Sequence, residues 1–233
     1  MKKSTCLIVS FLLLALNAYA QTMLSPQPDI TKGNITFWGG ITSSKVTCEN
    51  DIFTYGPFEN SKIGLSFGVT TEIYFYKHFS VETGLLYLQS GGAGEKMKGT
   101  DAQKNVLGEY YFVQNLQYFQ IPLSLKFNTD FSLVQPFFLV GPNLGILLTA
   151  HERIKADYEE SIEYSKSVIG KLTKYNPGFD IGFGFKLPLT SQLNIAMMWK
   201  YSLGLQNQVK DAVEGAEQKS KDSLFLSGLS YNF

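Results

Sequence analysis

His151 stands in "TAHERIKADYEES", Thr149 to Ser161, with Glu152, Asp157 and a serine close by in sequence. An imidazole near a carboxylate and a hydroxyl is the equipment of an acyl hydrolase, where histidine takes the serine proton and the acid orients the ring. The plainer reading of the segment is a charged, solvated loop. The other histidine, His78, sits in "YKHF" between two apolar runs and reads as a solvated residue in a turn at a membrane interface. Cys48 reads as an inert loop thiol. No pair of His, Cys or carboxylate residues has metal-ligand spacing. "SGGAGEKMKG", Ser90 to Gly99, is glycine-rich, but a phosphate cradle needs a strand before it and a helix after it, and no helical pattern follows. These residues assign no catalytic, cofactor-binding or metal-ligating position, and the expectation is a protein that is not an enzyme.

A second set of charges is more regular. Glu72, Glu82 and Asp180, with Lys126, Lys186 and Lys200, each fall on the polar side of a segment that alternates polar and apolar residues. Three acids facing three bases in otherwise small, polar surroundings predict a structural ion-pair network, because a charge removed from water is costly unless it is paired.

The segments that carry these charges have period two. "KIGLSFGVTTEIYF" from Lys62 puts Ile63, Leu65, Phe67, Val69, Ile73 and Phe75 on one face and Gly64, Ser66, Gly68, Thr70 and Glu72 on the other. Alternation of that length is a strand signal. "FSVETGLLYL", "YFQIPLSLKF", "FDIGFGFKL", "LNIAMMWKYSLGL" and the terminal "LFLSGLSYNF" repeat it. "FFLVGPNLGILL" and "ITFWGGIT" repeat it less cleanly: Leu139, Leu147 and Trp38 fall on the polar side. Pro122 and Pro142 lie inside strands, where each removes a ladder donor, and a bulge is expected near one of them. The eight segments are joined alternately by short turns and by long polar connections, roughly Val46–Ser61, Ser90–Asn115, His151–Tyr175 and Asn207–Asp222. An all-β, eight-stranded antiparallel up-and-down transmembrane barrel has this signature, with tight periplasmic turns and long external loops.

The start of the chain agrees with export. Lys2 and Lys3 precede an apolar run from Cys6 to Leu16 and the small-x-small sequence ending at Ala20, which reads as a signal peptide over residues 1–20. A short periplasmic segment, 21–34, then leads to the barrel, 35–233. Cleavage removes two lysines from a balanced 20 bases and 20 acids, leaving a net charge of −2. That is no surface for nucleic acid. It also leaves Cys48 as the single cysteine, so no internal disulfide forms.

Which face meets lipid follows from composition. A soluble barrel would wear many Lys, Glu and Thr outside, whereas the polar face here is mostly Gly, Ser, Asn and Gln with the six charges. The apolar face is rich in aromatics, as membrane girdles require. Phe75, Phe79, Phe127, Phe131, Trp199, Tyr231 and Phe233 are the expected membrane-anchoring aromatics, with Phe233 at the end of a strand closed against the first.

Two segments, "YFQIPLSLKF" (Tyr118–Phe127) and "QPFFLVGPNLGILL" (Gln135–Leu148), together with "NPGFDIGFGFKL" and the terminal aromatic, resemble the PorT-type outer-membrane β-barrel family of Bacteroidetes-like bacteria. The resemblance implies an eight-stranded barrel in the cell outer membrane. It carries over no catalytic residue, and it permits an accessory role in an envelope secretion or gliding machinery. The first functional reading is a monomeric, non-enzymatic scaffold or surface-interaction protein. It would be inserted by the barrel-assembly machinery and surrounded by outer-membrane lipid, and its long loops would meet protein or glycan. The alternatives are the PorT-like accessory role and an outer-membrane lipid hydrolase at His151. Eight strands leave an interior that side chains fill, which argues against a substrate-passing porin.

Overall fold

Residues that alternate between bulky apolar and small polar side chains make two-faced ribbons, and each ribbon needs a partner for its backbone N–H and C=O groups on both edges. The computed structural model of the chain describes residues 33–49, 60–100, 106–129, 134–156, 165–210 and 217–233. All belong to the unit Thr31–Phe233. The signal peptide, most of segment 21–34 and Phe131 lie outside the described residues.

The strands are β1 (Gly33–Glu49), β2 (Lys62–Tyr76), β3 (Phe79–Ala93), β4 (Met97–Thr100), β5 (Val106–Asn128), β6 (Gln135–Ala156), β7 (Ser165–Ser167), β8 (Tyr175–Pro188), β9 (Leu193–Gly204) and β10 (Glu217–Asn232). Eight of them pair antiparallel in the order β5-β3-β2-β1-β10-β9-β8-β6, and pairing of β5 with β6 closes the ring. The seam joins the first strand, β1, to the last, β10. β1 and β10 are in register from Asn34↔Asn232 to Glu49↔Glu217. Gly33 and Phe233 then exchange backbone hydrogen bonds of 3.1 and 2.9 Å. No free edge remains on the ring at that seam, which is what a sheet surrounded by hydrocarbon requires.

The alternation resolves into an outside and an inside. Leu123, Phe183 and Leu229 are each just over half exposed, whereas Lys126, Asp180 and Ser80 are completely buried. Trp38, Leu139 and Leu147, which break the apolar pattern, point inward and join an internal cluster with Leu86, Leu226 and Met198. The interior is therefore less polar than the alternation alone implies. One inward glycine is sterically required: a Cβ on Gly184 would stand 2.5 Å from Cζ of Phe137, whose ring fills the lumen beside it.

Two features differ from the sequence expectation. The first is strand length at the external end. Much of the expected loop Ser90–Asn115 is strand, since β3 runs to Ala93 and β5 starts at Val106. β6 likewise runs to Ala156 and β10 starts at Glu217, inside the expected loops after His151 and Asn207. Of these stretches Glu217–Asp222 has no apolar residue, and in β5 the aromatics Tyr110, Tyr111 and Phe112 fall on both faces, so period two leaves no clear mark on them. The second is the prolines. The β5–β6 register is the same at Pro122↔Asn143 and at Leu125↔Val140, so the strand does not bulge at Pro122. The irregularity in that pair falls at Gln117/Tyr118. Pro142 stays in register opposite Phe179. Thr83 donates its hydroxyl to the Pro122 carbonyl at 2.9 Å, a side-chain bond where the β3–β5 ladder is thin.

Leu123 sits midway along the apolar face Phe119–Phe127. Leu123→Arg is expected to lower the unfolding free energy by about 2–4 kcal/mol, the cost of a cation near the bilayer midplane, measured by reversible denaturant titration in phospholipid vesicles. A change under about 0.5 kcal/mol, the usual size for a water-exposed surface position, would place that face in water.

Candidate functional site

The narrow lumen gathers the chemistry. Glu72 on β2 is its hub. Its Oε2 accepts from Lys126 Nζ at 2.9 Å, Lys186 Nζ at 2.7 Å and Asn34 Nδ2 at 3.1 Å. Its Oε1 accepts from Ser80 Oγ at 2.6 Å and Asn128 Nδ2 at 2.8 Å. Lys126 also reaches Glu82 at 2.8 Å and stands 3.9 Å from the centre of the Phe137 ring. Lys186 donates to the Tyr74 hydroxyl at 3.3 Å. Glu72, Glu82, Lys126 and Lys186 thus form one neutral cluster, and each side chain is nearly devoid of solvent contact. Asp180 and Lys200 form a second at 2.9 Å, extended through Gln120, Asn143 and Ser202. The register positions them: each charge lies on the inward parity of its strand, and adjacent strands bring Ser80 opposite Lys126 and Asn34 opposite Glu72.

Toward the external end the sequence reading missed an inward acid. Asp222, assigned to a loop boundary, is on β10, buried, and accepts from Ser90 Oγ at 2.7 Å. The signal was present in parity, since Asp222 shares the inward face of Leu224 and Leu226. Among the described residues no Lys, Arg or His is within ion-pair distance of it. The space beside Asp222, Gln120 and Asn176 is a cavity of only about 10 Å³, about the room one water needs. Above it the chain between β7 and β8 turns inward through a 3₁₀ turn, Ile169–Lys171. Val168 and Leu172 are buried there in one cluster with Leu116, Leu147 and Ala150. Val168 N donates to Ala150 O at 3.0 Å, and Thr173 N to Gln208 O at 2.7 Å. The lumen is filled by ions, amides and this apolar stopper.

Beyond the ring, β5 and β6 stay paired as far as Tyr110↔Ala156. β4 follows β3 along β5, and β7 follows the line of β8 along β6. The result is a four-stranded wall, β4-β5-β6-β7, whose outer strands have no further partner strand among the described residues. Lys96 donates to the exposed Glu109 carboxylate at 2.8 Å and holds that carboxyl below its ordinary pKa.

Neither histidine forms a catalytic group with described residues. His151 lies on β6 opposite Asn115 and Ser167, and among the described residues no carboxylate or hydroxyl hydrogen-bonds its ring. Asp157 and Ser161 lie outside the described residues. His78 is not solvated, contrary to expectation. It is buried, its Nδ1–H donates to the Asn128 carbonyl at 3.1 Å, and its own carbonyl accepts from Asn128 N at 2.7 Å. The short turn is tied under the strand ends, so its imidazole packs instead of facing water. Of the aromatics, Phe75, Phe79 and Phe127 form a row with ring centres 6.4 and 5.3 Å apart at the short-turn rim. Trp199 contacts Phe183 and Tyr201 at 5.3 and 6.3 Å on the outer wall, and Tyr231 and Phe233 are exposed.

A family model described as outer membrane protein beta-barrel domain matches residues 19–209. No curated protein sequence matches the chain. Solved structures similar to it include a major outer membrane protein from Thermus thermophilus, 13% identical over 88% of this chain and 100% of that one, with a TM-score of 0.49. Neisserial surface protein A is 11% identical over 86% and 97%, with a TM-score of 0.46. OprG from Pseudomonas aeruginosa is 13% identical over 87% and 97%, with a TM-score of 0.45.

Removing the hub leaves Lys186 buried without a carboxylate, while Lys126 keeps Glu82. Glu72→Ala should destabilise the barrel by about 3–5 kcal/mol, and Glu72→Ala combined with Lys186→Met should recover part of that loss. Denaturant midpoints of the three proteins in the same detergent check both statements; a single variant as stable as the parent would mean the lumen is wet and the pairs are worth little.

Proposed function

The chain belongs to the outer membrane protein β-barrel domain family, and from that premise we propose that it is a non-enzymatic surface-interaction scaffold whose working part is the external wall. The observation that carries this reading is the extension of β5 and β6 beyond the ring, flanked by β4 and β7, whose outer edges pair with no other described strand. A strand edge with unpaired N–H and C=O groups accepts another strand by main-chain hydrogen bonding. Lys96, Lys98 and Lys166 on or beside those edge strands keep identical chains from pairing there while leaving a partner of suitable charge admissible. Export by a cleaved leader over residues 1–20, insertion by the barrel-assembly machinery and a monomeric state complete the proposal. The aromatic rows at Phe75, Phe79 and Phe127 and at Trp199, Tyr231 and Phe233 serve as its membrane anchors. Phe131 is assigned to the same group.

The packed lumen supports a scaffold over a transporter. Two neutral ion clusters and an apolar stopper occupy the path a solute would take. The wall also suits the second reading, an accessory part in an envelope export machine, which the PorT-type likeness permits; an extended edge is what a larger complex would grip. A hydrolase at His151 has no such support, since the ring stands beside Asn115 and Ser167 without a hydrogen bond to either.

In planar bilayers the purified protein should give no stepwise conductance. In intact envelopes, crosslinking from positions 97–100 and 165–167 should capture a partner that a barrel with the wall shortened on both hairpins fails to capture. Stable conductance steps would overturn the closed lumen. Equal capture by the shortened barrel would overturn the wall as the contact. Co-isolation with a large envelope complex would favour the accessory role.

A further inference from the structure

On the outer wall, two lysines face each other where like charges should not. Lys45 on β1 and Lys221 on β10 are direct partners across the seam, both exposed on the lipid-facing parity. Lys219 lies two residues along the same face of β10. Directly opposed like charges destabilise a sheet, and among the described residues no carboxylate is in ion-pair range of Lys45 or Lys221.

Below the lysines the same wall changes in an ordered way. Ser43 and Ser223 come next, paired in register, and the Trp199 indole N–H donates to Ser223 Oγ at 2.8 Å. Ile41 and Phe225 then begin the apolar belt. Beside Phe225 a groove of about 720 Å³ opens on the outer surface, walled by Phe183, Met197, Trp199 and Phe225 with Ser227 at its edge. Its lining is almost wholly apolar, and it has the size of a ligand pocket. Read from groove to lysines, the surface is apolar, then hydroxyl and indole N–H, then doubly cationic. A single lipid has the same order from acyl chain through ester region to an anionic headgroup.

We propose that Lys45 and Lys221, with the groove beneath Trp199, form a site for one phosphate-bearing anionic lipid of the outer leaflet. The ammonium groups hold the headgroup phosphate, which relieves their mutual repulsion, and the acyl chain lies in the groove. The inference needs only the lipid-facing wall. Its failure would leave the wall-partner reading standing, and the converse holds too.

The protein reports on this site by itself. It has two tryptophans. Trp38 is inside the barrel, its Nε1–H bound to Thr70 Oγ1 at 2.8 Å, and Trp199 is outside at the groove. Bromine on a lipid acyl chain quenches only Trp199. The barrel is reconstituted in phosphatidylcholine bilayers doped with either dibrominated phosphatidic acid or dibrominated phosphatidylcholine. The wild-type protein should favour the phosphomonoester lipid by about ten-fold in relative association constant. Lys45→Ser/Lys221→Ser should bring the ratio below about two-fold. That variant removes a repulsion, so it should fold, and unchanged Trp38 emission verifies that it has. Ser227→Phe, which fills the groove, should reduce quenching by both lipids alike. Equal quenching by the two lipids in the wild type, a preference that survives loss of both lysines, or quenching unaffected by Ser227→Phe each overturns the proposal. Relief of the preference by inorganic phosphate at the concentration of the doped lipid would also overturn it, since the lysines would then hold free phosphate and no lipid.

Discussion

An eight-stranded ring leaves little room for water around a charge, so a charge inside it must be met by an opposite charge or by hydrogen-bond donors. Glu72 is where that constraint is met. One carboxylate accepts five hydrogen bonds, two of them from lysines on strands at different places around the ring. Strands β2, β5 and β8 are thereby tied through the interior as well as along their edges. The side chains that neutralise one another also fix how the ring is filled, with Phe137 packed beneath Lys126 and against the bare backbone of Gly184. A barrel held in this way has its lumen committed to structure. Its surface is what remains for contact with other molecules.

The fold was legible because lipid and lumen impose opposite demands on alternate residues. Where both demands act, from Ile63 to Phe75 or from Leu193 to Leu203, parity alone separates the two walls. The sequence reading failed where one demand stops. Glu109–Gln114 has aromatics on both faces and His151–Ala156 has one isoleucine among charges, so both read as loops although hydrogen bonding continues through them. Asp222 was lost in the same way, taken for a loop boundary although it keeps the inward parity of Leu224. His78 went astray for another reason: a two-residue turn can be drawn up under its strands, and local sequence does not record that.

The site was legible in part. The six charges were identifiable from parity and composition, but their connectivity was not, because register and shear decide which of three acids meets which of three bases. The amides that complete the clusters, Asn34, Asn128, Asn143 and Gln120, carry no signal of their own, since they share the inward face with uncharged serines and threonines. The apolar stopper was equally hidden. Val168 and Leu172 flank a 3₁₀ turn in a stretch that reads as polar connection, and only tertiary packing on Ala150 and Leu116 gives them an interior.

The seam between β1 and β10 also governs how the molecule can be made. Its partners are the most distant in sequence of any strand pair, so the hoop cannot shut until β10 has been made. Up to that moment the leading strand has one edge unsatisfied, which hydrocarbon does not tolerate. Assembly is therefore all-or-none with respect to length. A chain that stopped short of its final strand would remain an open ribbon, excluded from the bilayer core and left with a bare edge on which to aggregate.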